Sequence, residues 1–311
     1  MSNKKLTAIN SGSKNKPALK ASGRSQVKRY TRSKAGNFFY VLFLILFGSF
    51  SVLPLIYCIV TAFKPLEELL VYPPKLYVVN PTLQNFMALP DLLSNLKIPL
   101  SRYIFNSFFV TVITTLLYVF IAAMAAFTLA KSKIRGRRVF FLVVQLALLF
   151  NGTTLSVPLY LIYSWLGIID TYWVMILPYI ASTMGVFLMK QYMESTLPLS
   201  LIEAARIDGS GEFRTFNAIV MPLMKPAIAV QMIFTFVSSW NNYFTPALIL
   251  HDDKKKTLPI LIAQLRAADW LKFDMGQVYV MIAFSIFPVI IVYLILSKHI
   301  VQGVALGSVK G

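Results

Sequence analysis

The chain has 311 residues, of which 57% are hydrophobic and 14% charged, with a mean hydropathy of +0.67 and a net charge of +18. A soluble domain carries about a quarter charged residues, so most of this chain is expected to be solvated by lipid. The charge could suit nucleic acid, but ten Lys and Arg crowd into the first 34 residues with no acid among them, and the rest stand at the ends of apolar runs. That pattern fits the control of membrane topology and excludes a nucleic-acid groove.

Residues 1–36, rich in Lys, Ser and Gly, have no core-forming period and read as a disordered basic tail lying on anionic lipid. The apolar run that follows is too long for a secretory signal, and no small-residue cleavage site closes it. Six runs, at 38–62, 103–130, 139–163, 173–193, 224–250 and 277–297, are long enough to cross a hydrocarbon core of ~30 Å at about 20 residues each. Pro54, Pro158, Pro178, Pro246 and Pro288 fall within or beside them, so kinked helices are expected. The lone Cys58 leaves no intrachain disulfide, and His251 and His299 lie too far apart in sequence to suggest a metal site. With the amino terminus inside, the inner segments carry 21 basic and 4 acidic residues and the outer ones 9 and 8. The basic excess belongs on the cytoplasmic face, which puts both termini there. The expected fold is an all-α membrane protein of six transmembrane helices. A six-helix transmembrane domain, 37–300, would lie between the basic tail and a short cytoplasmic tail, 301–311.

Between the fourth and fifth runs the chain keeps a long polar connection, 194–222. Its centre, "EAARIDGSGEFRTFNAIVMP" from Glu203 to Pro222, opens with the helix formers Glu203, Ala204, Ala205 and Arg206. Glu203 and Arg206, three apart, are expected to pair on one helix face. Gly209 and Gly211 flank Ser210, and glycine supplies the positive φ that ends a helix and reverses the chain. A second short helix follows, with Phe213, Phe216 and Val220 near one side, and Pro222 suits the first turn of the next span. Two readings stay open from the residues alone. The element passes a push from a soluble partner to the spans, or it is an amphipathic anchor at the interface.

The spacing of Glu203-Ala204-Ala205, Gly209, Ile219 and Pro222 resembles the EAA motif of ABC importer permeases, with Met221 where leucine is usual. "VPLYLIYSWLGIIDTYWVMILPYIAS" (157–182), "FVSSWNNYF" (236–244) and "VQGVALGSVKG" (301–311) resemble the carbohydrate branch, the maltose-type inner-membrane permeases. The likeness spans residues 37–311 and implies the type I importer permease fold in a prokaryotic cell membrane. It further implies that the first motif helix, Leu201 to Asp208, docks in a cleft of a cytoplasmic ATPase. Glu203 would make the charged contact, Ala204 and Ala205 would allow close approach, Arg206 and Asp208 would flank them, and Gly209 would bend. The implied partners are two ATPase subunits, a second, non-identical permease and an extracytoplasmic solute-binding protein. ATP and magnesium would bind the ATPase. No cofactor is expected in this chain, which carries no G-x-x-x-x-G-K-[ST].

Polar residues within spans usually face a cavity or another helix. The densest set is Ser238, Ser239, Trp240, Asn241, Asn242 and Tyr243, joined by Asn151, Thr153 and Thr154 in the third run and Tyr179 and Ser182 in the fourth. Aromatic faces with amide donors suit a sugar, so these residues are candidates for one pathway cavity. Interhelical hydrogen bonding is the competing reading. The loops 63–86 and 251–276, the latter containing a short amphipathic helix up to Trp270, are candidates for contact with the binding protein or the sister permease. The importer reading, for an oligosaccharide, stands beside three others. The same scaffold could carry a polyol or glycerol phosphate. An ion-coupled carrier is a second alternative, disfavoured because no ionisable residue lies deep in a span (Asp170, Lys190 and Glu194 sit at span ends). A membrane enzyme is the weakest, since no acid, base and nucleophile converge.

Overall fold

A computed structural model describes residues 33–90, 98–150, 152, 154–267 and 275–307. Asn151, Thr153, Trp270, residues 1–32 of the basic tail and residues 308–311 of the short tail lie outside the described residues. The chain divides into two units, one up to Val52 and the other from Leu53 onward. Helix α1, Lys34–Thr61, supplies the described part of the first unit, and Phe38, Phe39, Phe43, Phe47 and Phe50 along it are largely exposed.

The second unit is organised on α2, Leu100–Lys131, whose 32 residues run about 48 Å. Tyr103, Asn106, Val110, Thr114, Tyr118, Ala122 and Ala126 recur at three- and four-residue spacing and are buried, while Ile104, Phe105, Phe108, Leu116 and Leu117 are exposed. The buried stripe is thus more polar than the exposed one. That is the arrangement expected of a helix whose outer face meets lipid and whose inner face finds hydrogen-bond partners.

After α2 come α3, Arg137–Ala147, and α4, Ser156–Trp165, then α5, Trp173–Ile180, and α6, Thr183–Thr196. Two helices follow at the motif, α7, Leu199–Ile207, and α8, Glu212–Leu223. The chain finishes with α9, Lys225–Trp240, α10, Phe244–Ile249, α11, Leu258–Ala267, and α12, Met275–Gly307. Small residues set the closest approach. Ala122, Ala123 and Ala126 of α2 are fully buried, and a Cβ on Gly185 of α6 would stand 1.9 Å from the Tyr118 hydroxyl. That hydroxyl instead donates to Gln231 Oε1 of α9 at 2.9 Å, so three helices meet at one buried polar contact.

Four helices among the described residues are long and apolar enough to cross a membrane, and a fifth crossing follows if the pair Glu212–Leu223 and Lys225–Ile249 is one span bent by 81°. The expected third run, 139–163, is instead the two short helices α3 and α4. A Gly and polar cluster from 151 to 154 interrupts the apolar pattern between them, and Pro158 sits in the first turns of α4, where its missing N–H costs little. Prolines do lie within helices at Pro54, Pro178 and Pro288.

The loops expected to be outer fold onto the start of α2. The Asn106 amide donates to the carbonyls of Lys254 at 2.9 Å and Lys256 at 2.8 Å, and accepts from the Tyr172 hydroxyl at 2.8 Å. Asp170, at φ 59, takes the N–H groups of His251 and Asp252, each at 3.1 Å, and the Lys255 ammonium at 3.2 Å. Loop 63–86 is tied to itself and to the end of α1. Glu68 accepts from the N–H of Val79 at 3.0 Å and of Asn80 at 2.7 Å, and buried Asn85 donates to the carbonyls of Ala62 and Lys64. The motif helices pack at the other end of α2, so the two sets of loops lie a helix length apart.

Candidate functional site

At the motif, α7 ends as its glycine demands. Gly209 has φ +78; its N–H donates to the Arg206 carbonyl at 3.1 Å and that of Ser210 to the Ala205 carbonyl at 2.9 Å, the paired bonds of a Schellman cap. Within α7, Ile202 is fully buried and Ala205 nearly so, while Glu203, Ala204 and Asp208 are exposed and Ile207 is 86% exposed. The helix thus anchors by one stripe and presents the opposite one.

The expected pair of Glu203 with Arg206 does not form. Arg206 Nε reaches Glu212 Oε1 at 2.8 Å, because the turn at Gly209 folds the start of α8 back over the end of α7. Glu203 has no ion-pair partner among the described residues. In α8 a π-helical turn, Phe216–Val220, directs Phe216 and Val220 into the core, but Phe213 is 64% exposed. It borders a shallow groove with Phe127 and Ile134 at the end of α2, beyond the packed region. Pro222 does not open the next span either. It closes α8 before the bend, and Pro226 takes the first turn of α9.

Ile202, Phe216, Val220 and Met224 share one core with Tyr118, Ala122 and Ala126 of α2 and Met189 and Met193 of α6. Lys131 Nζ, at the end of α2, donates to the Leu197 carbonyl at 2.5 Å. Lys190 of α6 pairs with Glu194 at 2.7 Å and lies 3.8 Å from the centre of the Phe141 ring of α3. Through this core α7 is joined to α2, α6 and α9 by packed side chains.

The polar residues near the end of α9 divide between two cavities rather than lining one. Ser238 and Asn242 face a cavity of about 560 Å³ with Tyr179, Ser182, Ser156 and Tyr163. Tyr179 donates to the Ser238 carbonyl at 3.0 Å, and Asn242 Oδ1 accepts the Thr245 N–H at 3.3 Å at the start of α10. Trp240, Asn241 and Tyr243 face a second cavity, about 800 Å³, with Lys256, Gln264 and Arg266. α9 ends at Trp240, so Asn241, Asn242 and Tyr243 lie in the break before α10, where the chain gives Asn242 to the cavity of Ser238 and Asn241 and Tyr243 to that of Trp240. Trp240 is 3% exposed, stacks on Phe236 at 5.9 Å and donates to the Ser285 carbonyl at 3.0 Å, which makes it largely an interhelical residue. Ser239 is buried and borders neither cavity.

Sequence reasoning missed Tyr163. It is 3% exposed, borders the smaller cavity, and its hydroxyl has no hydrogen-bond partner among the described residues. An aromatic with a polar tip inside the third run was the available signal. It missed Arg266 too, because a charge on a connecting loop reads as solvated.

Apolar spans, two open cavities bordered by hydroxyls and amides, and an anchored helical pair at one end are the features of a membrane transport subunit. Residues 118–306 match the family described as the inner membrane component of binding-protein-dependent transport systems, and the chain belongs to that family. It is similar to the polygalacturonan/rhamnogalacturonan transport system permease protein YtcP of Bacillus subtilis, 32% identical over 282 residues that cover 86% of this chain and 96% of the relative. The arabinooligosaccharides transport system permease protein AraQ of the same organism is 32% identical over 273 residues, covering 87% and 94%. Its fold matches that in the crystal structure of a bacterial ABC transporter involved in importing the acidic polysaccharide alginate, with a TM-score of 0.71 and 25% identity over 86% of this chain and 98% of the other. The chain is thus a permease subunit of the inner membrane with the type I importer fold.

Proposed function

We propose that this chain is one of two permeases in an ABC importer for an oligosaccharide, working with a second, non-identical permease, two ATPase subunits and an extracytoplasmic binding protein. The saccharide substrate is supported by the relatives' own substrates and by cavities that combine tyrosine rings with amides and hydroxyls. Six crossings are proposed, the third made by α3 and α4 together and the fifth by α9 and α10. Both termini are then cytoplasmic, with the basic tail 1–36 against anionic lipid and 301–311 on the same side. The loops 63–86 and 251–276 face outward toward the binding protein.

In this reading 194–222 is the coupling loop. α7 seats in a cleft of an ATPase subunit, with Glu203, Ala204 and Asp208 on the presented stripe, Ala205 holding the helix to its own core, Arg206 bracing the turn through Glu212, and Gly209 permitting it. ATP and magnesium are held by the ATPase. Closure of the ATPase pair pushes α7, and the shared core tilts α6 and α9, which carry Ser182, Ser238 and Asn242 with them. Tyr179, Asn242 and Tyr163 offer hydroxyl and amide partners to a passing sugar. Asn241 and Tyr243 do so in the second cavity. The observation that carries this reading is the two-sidedness of α7, anchored through Ile202 and exposed through Glu203.

Glu203→Lys tests it. Reversing a charge on the presented stripe leaves the core intact, so the protein should reach the membrane at its normal level while ATP-driven uptake of an arabino- or galacturono-oligosaccharide falls by more than about tenfold. Normal uptake by that variant would remove Glu203 from the interface.

A further inference from the structure

We infer that the larger cavity receives an anionic sugar, one bearing a carboxylate, with Arg266 as the residue that selects it; the inference rests on the importer reading and names its substrate class. The two cavities differ in charge. Among the described residues, the smaller is bordered by no ionisable group other than tyrosine, while the larger has Lys256 and Arg266 and no Asp or Glu. Arg266 stands in the last turn of α11, is exposed, and makes no ion pair among the described residues. Lys256 is held at 2.6 Å by Asp253, which leaves Arg266 as the cation at this cavity with no ion pair among the described residues.

A cation in the last turn of a helix also complements the helix dipole, and that alone explains a basic residue there. It does not explain why the side chain borders a cavity with Asn241, Tyr243 and Gln264. A guanidinium presents a planar fork that takes both oxygens of a carboxylate, and it gains little from a neutral hydroxyl by comparison. Tyr243, 51% exposed, offers a ring for the C–H face of a pyranose, and the amides of Asn241 and Gln264 can both donate to and accept from hydroxyls. A cavity of about 800 Å³ has room for several sugar units, more than glycerol phosphate requires.

The test uses the complete transporter in vesicles with saturating binding protein. Uptake of a galacturonate oligosaccharide is compared with that of its methyl ester, the same chain without charge, and with glycerol phosphate. Arg266→Gln should lower uptake of the acid by about tenfold or more and that of the ester by less than about twofold. Arg266→Lys, which keeps the charge and loses the fork, should retain part of the preference for the acid. The Lys variant also decides the matter if the Gln variant does not reach the membrane. An equal fall for acid and ester in either variant would assign Arg266 to a partner contact and overturn the inference, as would no fall at all. A wild-type transporter that carries only the ester, or prefers glycerol phosphate, overturns the carboxylate assignment. If it carries neither galacturonate form, the carboxylate assignment fails; uptake of an arabino-oligosaccharide then keeps the oligosaccharide reading, and its absence removes that reading as well.

Discussion

Tyr163 and Gly185 illustrate how single residues divide between site and scaffold. A Cβ on Gly185 would take the space of the Tyr118 hydroxyl, so any larger residue there must push that hydroxyl from its bond to Gln231. Tyr163 is the opposite case, since its hydroxyl contributes no intramolecular hydrogen bond among the described residues. An unmet buried hydroxyl costs about 1–3 kcal/mol, a cost a passing solute can relieve. Tyr163→Phe should therefore leave the melting temperature of the purified complex unchanged or slightly raised while slowing solute uptake several-fold. Lower thermal stability with full transport would make the hydroxyl a structural group. This residue was not legible as a site residue from the sequence, because a tyrosine within an apolar run reads equally as a span-end anchor. Gly209 was legible, because one helix end with one glycine after it has a single local solution.

At the scale of elements, the clamp of Asp170 on residues 251–255 fixes how the loop before α11 leaves α10. Burial would raise the Asp170 carboxyl, but the N–H groups of Asp252 and His251 and the Lys255 ammonium outweigh it and hold it below the ordinary value of 3.8. A depressed folded value means the ionised form is the one the fold binds, so the clamp is complete above 3.8 and is lost only as pH falls through the lower folded value. Backbone hydrogen exchange at His251 and Asp252, compared with Asp170→Asn at matched pH, should be slower in the wild type at neutral pH. The difference should persist below 3.8 and vanish only in stronger acid. Convergence of the two proteins well above that value would show that the carboxylate does not hold the loop. The sequence placed Asp170 at a span end but could not show its partners, which lie more than eighty positions away. Arg206 makes the same point over a short distance. Local spacing offered Glu203, and the chain reversal at Gly209 delivered Glu212.

For the whole molecule, apolar side chains exposed along α2 and α12 need lipid or a partner permease to cover them. Extraction of the tagged chain from its own membranes in mild detergent should bring with it a second permease and an ATPase in stoichiometric amounts, identified by mass spectrometry. Recovery of the chain alone, still able to carry solute down an ion gradient, would remove the ATPase from the account.

Composition, the lengths of the apolar runs and the residues from Glu203 to Pro222 were enough to determine a helical membrane protein with a helix–turn–helix between its fourth and fifth runs, and the resemblance of that stretch to the EAA motif pointed to a permease. These are local properties, since solvation by lipid and the end of a helix depend on residues within a turn or two. Only the tertiary structure decided that the third run breaks in two, that Pro226 rather than Pro222 opens α9, and that the polar cluster at 238–243 serves two cavities. Those outcomes depend on which face of each helix meets a neighbour, and helix–helix packing joins residues that no sequence period brings together.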